Sequence, residues 1–250
     1  MEQITKNVFV ENGLRGSNPG FVITSEGMVM IDTPVELENA KKWSEEIGRR
    51  GKLRYLINTE HHFDHWLYNF YFDAPVTAHK SAREVMLRMD VSYIRKRTKV
   101  QYQQPLLIND DHPLRLPGIT YSEHMTLHLG RHTFQLLHMP GHTIGQTAVY
   151  IPEEKVIFTG DNVFGEKRTA IHDAYLDKWL ESLKGMEPLD FEFIAPGHGK
   201  VCQKAFLKTQ IGIIQGLLEN SKTTKGPEVS DEIRKKVDPF YPTRDIGLIP

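Results

Sequence analysis

The chain has 250 residues, with 31 Lys plus Arg against 32 Asp plus Glu and a formal net charge of −1, which argues against a protein built chiefly to bind nucleic acid. Its one cysteine, Cys202, excludes an intrachain disulfide, and no apolar run reaches the length of a membrane span. The start, Met1-Glu2-Gln3-Ile4-Thr5-Lys6, lacks the basic and then apolar pattern of a signal peptide. The expectation is a cytoplasmic protein with a single domain over 1–250, without membrane or nucleic-acid partners; a homo-oligomer is left open.

Two β-type runs open the chain, Asn7-Val8-Phe9-Val10 and Gly20-Phe21-Val22-Ile23-Thr24. A third, Met28-Val29-Met30-Ile31, is apolar throughout, as a strand covered on both faces would be. It ends in Asp32-Thr33-Pro34, after which Ala40, Trp43 and Ile47 recur at helical spacing. The next strand, Leu53 to Asn58, runs into Thr59-Glu60-His61-His62-Phe63-Asp64-His65. This stretch packs three histidines and two carboxylates into six residues. A metal ion reconciles such groups, because neutral imidazole and ionised carboxylate are metal ligands. Glu60 and His62 alternate on leaving the strand and so can face one ion; Asp64 and His65 lie one turn further and can face a second.

Ser81 to Val91 reads as one helix with Ala82, Val85, Met86 and Met89 on a face. Arg95-Lys96-Arg97 and Lys99 follow as a solvated helix end, and then a proline-containing stretch runs from Gln101 to Pro117. Residues 81–117 are expected to form a segment inserted on the pocket side. A hairpin comes next, Met125 to Leu129 and Thr133 to Leu137, turned at Gly130-Arg131 and leading to Met139-Pro140-Gly141-His142-Thr143. The plan of the first half then returns. Lys155-Val156-Ile157-Phe158 ends in Thr159-Gly160-Asp161, and Leu176, Trp179, Leu180 and Leu183 mark an amphipathic helix. Phe191 to Ile194 then leads to Pro196-Gly197-His198-Gly199. The periodicity predicts two β-helix-β halves whose strand ends share one edge. Residues 203–250 are expected to hold a C-terminal helix, with Leu207, Ile211, Ile214 and Leu218 on a face, and a tail broken at Gly226-Pro227. His79, His124, His128, His132 and His138 fall in or beside strands and read as packing or surface residues; Cys202 reads as a buried, inert thiol.

In order, the Asp32 strand end, the Glu60–His65 cluster, MPGHT, FTGD and PGHG resemble the metallo-β-lactamase superfamily over nearly the whole chain. The resemblance implies an α/β fold, a four-layer αβ/βα sandwich, with metals at one sheet edge. It implies a first metal held by Glu60, His62 and His142 and a second held by Asp64, His65 and His198, with Asp161 between them. Asp32 would steady the cluster loop from behind, and His172 and Tyr175 would border the pocket and touch substrate. The expected cofactors are two divalent ions, zinc first.

One departure stands out: Glu60 occupies the slot of the first histidine in the H-x-H-x-D-H pattern. Its charge makes two divalent ions with three carboxylates and one hydroxide about neutral, and its oxygen brings in manganese or iron. His61 turned into the vacant role is the alternative. The expected activity is metal-dependent hydrolysis of an ester, lactone, thioester or amide in a small molecule, with Asp64 orienting the attacking water or moving its proton. The alternatives are a glyoxalase II-like thioesterase and a metal-binding regulatory module without turnover.

Overall fold

The computed structural model describes residues 1–102 and 113–221. Two sheets carry the architecture. The first runs in the order β1 (Glu2–Gln3), β2 (Val8–Val10), β3 (Gly20–Thr24), β4 (Gly27–Ile31), β5 (Leu53–Ile57), β6 (Val76–His79) and β7 (Ile119–Tyr121). The second comprises β8 (His124–Leu129), β9 (His132–His138), β10 (Thr147–Ile151), β11 (Val156–Gly165), β12 (Phe193–Gly199) and β13 (Cys202–Gln203), in the spatial order β13-β12-β11-β10-β9-β8.

Hydrophobic alternation assigns the faces. Val8, Val22, Val29, Ile31 and Ile57 of the first sheet meet Phe134, Leu136, Val149, Ile151 and Phe158 of the second in one apolar layer. On the outer face of the first sheet, Trp43 and Ile47 of α1 (Leu37–Arg50) cover Phe21, Met28, Met30 and Leu56. On the outer face of the second, Trp179 and Leu183 of α4 (Leu176–Met186) and Ile211 and Ile214 of α5 (Phe206–Ser221) cover Ile157, Val163 and Ile194. The result is helix, sheet, sheet, helix, with a dry layer at each junction. No helix among the described residues is long and apolar enough to cross a membrane.

The repeated halves are plain in the topology: β4 and β5 pair in parallel around α1, and β11 and β12 pair in parallel around α4. Parallel strands joined by a helix leave their C-terminal ends on one edge, where their loops converge. Three readings need correction. First, the run expected to stop at Asp161 continues to Gly165, with register shifts flanking Gly160 against β12. Asp161 is therefore delivered by an irregular strand rather than by a strand end. Second, the helix expected over 81–91 is present as α2 (Lys80–Arg88) but ends early, and a further helix, α3 (Val91–Tyr102), follows it, so Arg95 to Lys99 lie within a helix rather than at a helix end. The break falls at Met89-Asp90, where the Asp90 carboxylate accepts the Ser92 N–H at 2.9 Å and starts α3. Third, β6 and β10 were missed; both are short and fully buried, without the alternation that marks a half-exposed strand. Most of the proline-containing stretch and the tail beyond Ser221 lie outside the described residues.

Candidate metal centre

Seven chemistry-bearing side chains reach the shared edge. The loop after β5 supplies Glu60, His62, Asp64 and His65, the last two from a single 3₁₀ turn over Phe63–His65. The loop between β9 and β10 supplies His142, β11 supplies Asp161 and β12 supplies His198. Glu60, His65 and His142 are sealed from solvent, and Asp161 nearly so.

Apart from the 2.5 Å contact of Glu60 Oε2 with His62 Nδ1, the distances among these groups fall into two classes. Toward the centre, His198 Nε2 lies 3.3 Å from both Asp64 Oδ2 and Asp161 Oδ2, His65 Nε2 lies 3.4 Å from Asp161 Oδ1, and His142 Nε2 lies 3.5 Å from Asp161 Oδ2. Away from the centre the contacts are ordinary hydrogen bonds. His65 Nδ1 meets Asp32 Oδ2 at 2.8 Å, His142 Nδ1 meets the Ala170 carbonyl at 3.0 Å, and His62 Nε2 meets Asp173 Oδ2 at 2.8 Å. Two ligands at about 2.1 Å from a tetrahedral ion are separated by roughly 3.4 Å, the spacing of the inner class. Buried His65 Nε2 and Asp161 Oδ1 also have no hydrogen bond among the described residues, a costly state unless an ion completes it. The residues fit a metal centre. Asp161 is its hub, because Oδ2 faces His142 of one set and His198 of the other.

Asp32 sits behind His65, on the side away from the cluster. Its carboxylate accepts the Thr59 N–H at 2.7 Å and the Thr59 hydroxyl at 2.6 Å besides holding His65, and its backbone takes a left-handed φ of 55° to do so. Glu60 faces inward, with Oε2 2.5 Å from His62 Nδ1 and 4.0 Å from His142 Nε2, and Oε1 3.7 Å from His65 Nε2. His61 turns the other way, with Nε2 3.7 Å from Asp173 Oδ2, so of the two it is Glu60 that faces the cluster. His172 Nε2 stands 3.1 Å from His62 Nε2. Tyr175 is 42% exposed, with Lys178 over its ring, and only its backbone reaches the site, donating N–H to the Gly141 carbonyl at 2.8 Å.

Sequence reasoning missed two residues. Asp173 holds His62, and no motif marks it. Gln146, with its amide turned so that nitrogen faces the carboxylate, donates to Glu60 Oε1 at 3.1 Å and accepts from the Asp161 N–H at 3.3 Å. The histidines read as packing residues behave so. His79 stacks on His138 at 3.7 Å, and burial pushes it down to about 4. Burial likewise pushes the Cys202 thiol up to about 11.

Backbone space at the hub is tight. A Cβ on Gly197 would lie 1.9 Å from Asp161 Oδ1 and 2.6 Å from the Gly160 backbone. Gly197→Ala should therefore displace Asp161, cost about 1–3 kcal/mol of stability and lower metal content. Thermal unfolding and metal analysis of the purified variant check this; normal values for both would mean that the hub is free to move.

Electrostatics set how the centre loads. Burial pushes His62 down, but Glu60 and Asp173 outweigh it and hold this imidazole at about 10. His198 also stands at about 10, with burial outweighed by Asp161 and Asp64. Burial lifts Glu60, and His62, His142 and His65 outweigh it to bring the carboxyl to about 2. Burial keeps His142 low and neutral. Near neutral pH, a metal must therefore displace protons from His62 and His198, so affinity should rise with pH up to about 10. For the metal-free protein the trend is opposite. Both histidines are raised above their unfolded value of about 6.5, so their stabilisation is complete below that pH and is lost as pH climbs toward 10. Proton release in weakly buffered zinc titrations, with melting of the metal-free form from pH 6.5 to 10, checks both signs.

The comparisons with known proteins give the family. The family model of the metallo-beta-lactamase superfamily matches residues 12–198. An atrochrysone carboxyl ACP thioesterase of Aspergillus fumigatus is 27% identical over 210 residues, covering 81% of this chain and 42% of its own length. A type 2 metallo-beta-lactamase of Elizabethkingia meningoseptica is 22% identical, with 88% of this chain and 83% of that protein covered. Among solved structures, the metallo-beta-lactamase from Pontibacter korlensis superposes with a TM-score of 0.68 at 18% identity, over 86% of this chain and 97% of that one. The chain spans less than half the length of the thioesterase it matches. With the family motifs gathered on one edge of the family's sandwich, the chain belongs to the metallo-beta-lactamase superfamily.

Proposed function

We propose that the protein is a hydrolase dependent on two divalent metal ions, acting on the carbonyl of a small-molecule ester, lactone, thioester or amide. One observation carries the reading: His65 and His142 each use one nitrogen for a short hydrogen bond outward and turn the other toward carboxylates at the spacing of a coordination shell. His62, His142 and Glu60 would hold one ion, Asp64, His65 and His198 the other, and Asp161 would join them. Ions held there supply Lewis acidity and a water of lowered pKa.

The chain's own residues do the rest. Asp32 and Asp173 hold the outer nitrogens of His65 and His62, which directs their other nitrogens toward the cluster. Burial lifts Asp64, but His198 and His65 outweigh it and hold the carboxyl well below the usual range. It is therefore ionised at neutral pH and can orient the attacking water by accepting its hydrogen bond. Phe63, beside the ligands, packs edge-on against Tyr102 at the end of α3, with ring centroids 6.0 Å apart. This contact supports α3 as one wall of the substrate pocket, so changes in the 81–117 segment should alter substrate preference more than metal content.

The thioesterase match over most of the chain puts acyl thioesters first among the candidate bonds. The test is a panel of acyl thioesters, aryl esters, lactones and a chromogenic β-lactam, assayed after chelation and after return of zinc or manganese. Hydrolysis that disappears on chelation and returns with metal supports the proposal, with thioesters cleaved fastest. Turnover indifferent to chelation, or a metal-loaded protein inert toward the whole panel, would count against it.

A further inference from the structure

A second group of metal-type side chains stands behind His62, outside the centre described above. His62 Nδ1 faces the centre, 2.5 Å from Glu60 Oε2 and 3.2 Å from His142 Nε2. Its other nitrogen, Nε2, points away, to Asp173 Oδ2 at 2.8 Å and His172 Nε2 at 3.1 Å. His61 joins from the neighbouring position. Its Nε2 lies 3.7 Å from the same Asp173 oxygen, too far for a hydrogen bond, and its buried Nδ1 has no hydrogen bond among the described residues. One ligand atom from each of His61, His62 and Asp173 lies within 4.8 Å of the other two. Two ligands at about 2.1 Å from one tetrahedral ion stand roughly 3.4 Å apart, and the 2.8 and 3.7 Å contacts lie on either side of that figure. The Asp173 side chain is 36% exposed, so an ion reaches this group from solvent without passing through the centre.

His62 cannot serve both places at once. A neutral imidazole has one bare nitrogen and one N–H, and only the bare nitrogen takes an ion. With an ion of the centre on Nδ1, Nε2 carries the hydrogen and donates to Asp173. With an ion on Nε2, the hydrogen sits on Nδ1, where Glu60 Oε2 stands at 2.5 Å to accept it. Each tautomer thus has a carboxylate acceptor in place, and the choice between them decides which side of the ring holds metal.

We infer a third metal position behind His62, formed by His61 Nε2, His62 Nε2 and Asp173 with His172 at its side, which fills at excess metal and takes His62 from the first position. The first ion then keeps Glu60, His142 and Asp161 but loses a ligand, so surplus metal inhibits. The site stands on its own residues; the inhibition rests on the metal reading above, and the experiment separates the two. The full chain is dialysed against rising free zinc, bound zinc is counted by metal analysis, and thioester hydrolysis is followed in parallel. The wild-type chain should take up a further zinc beyond the first two, with turnover falling over the same range. His61→Gln and His61→Ala should each raise the free zinc needed for that uptake, and for the inhibition, by about tenfold or more, while the first two ions and the uninhibited turnover stay as they were. A wild-type chain that takes up no further zinc would overturn the inference, as would a further zinc bound equally well by both His61 variants. A further zinc that leaves turnover unchanged would overturn the competition for His62. His142→Ala tests the parent reading separately: if its tight zinc uptake matches the wild type, the first metal position is wrong, whatever the His61 variants do.

Discussion

His142→Ala and His198→Ala should each lose one metal position and cut hydrolysis by roughly 10³-fold or more, because ligands that act as a unit take most of its catalysis with them when one is removed. The physical basis differs between the two. His142 is sealed from solvent, its Nδ1 is tied to the Ala170 carbonyl, and its other nitrogen faces Asp161 at 3.5 Å. Removing it opens a hole in the first position but leaves Asp64, His65 and His198 together. His198 instead offsets two carboxylates at once, Asp64 and Asp161, each 3.3 Å away. Its loss leaves those buried charges facing each other, so the second position should fail and the metal-free protein should also melt at a lower temperature. Metal analysis beside steady-state kinetics reads both effects. Full metal content and normal turnover in both variants would remove these histidines from the centre.

The second large effect concerns Glu60, which should set the metal preference. Its Oε2 faces His62 and His142, its Oε1 accepts from Gln146, and nearby imidazoles keep it ionised. Glu60→Gln keeps the shape but removes the charge, so affinity at the first position should fall by tenfold or more, the scale of about 1.4 kcal/mol. Glu60→His restores the family pattern, adds one positive charge relative to the carboxylate and trades a hard oxygen for nitrogen, which should shift the ranking toward zinc over manganese and ferrous iron. Competitive titration of the three proteins with the three metals is the check. An identical ranking and affinity in all of them would make Glu60 a bystander.

Much of this was legible in the sequence because the candidate ligands sit beside strong local signals. The apolar run of β4 locates Asp32, the β5 run locates the Glu60–His65 cluster, and Pro-Gly precedes both His142 and His198. The β-helix-β repeat was readable from the 3.6-residue periodicity of α1 and α4 following the apolar runs of β4 and β11. What escaped reading depends on contacts between distant segments. Asp173 reaches His62 across 111 positions; the resemblance placed its neighbour His172 at the pocket, but no motif in Thr169-Ala170-Ile171-His172-Asp173 marks Asp173 itself. Gln146 was hidden for the same reason, since an amide gains its role only when Glu60 and Asp161 stand on either side. The break between α2 and α3 was obscured because Val85, Met86 and Met89 continue a helical spacing; what interrupts the helix is the local competition of the Asp90 side chain for the Ser92 N–H.

The most direct measurement of the central claim is anomalous diffraction from crystals grown with zinc, collected on both sides of the zinc absorption edge. Two peaks are expected in the chain, one bounded by Glu60, His62 and His142 and the other by Asp64, His65 and His198, with Asp161 touching both. An absence of anomalous density among these residues, at zinc concentrations that saturate the protein in solution, would contradict the account.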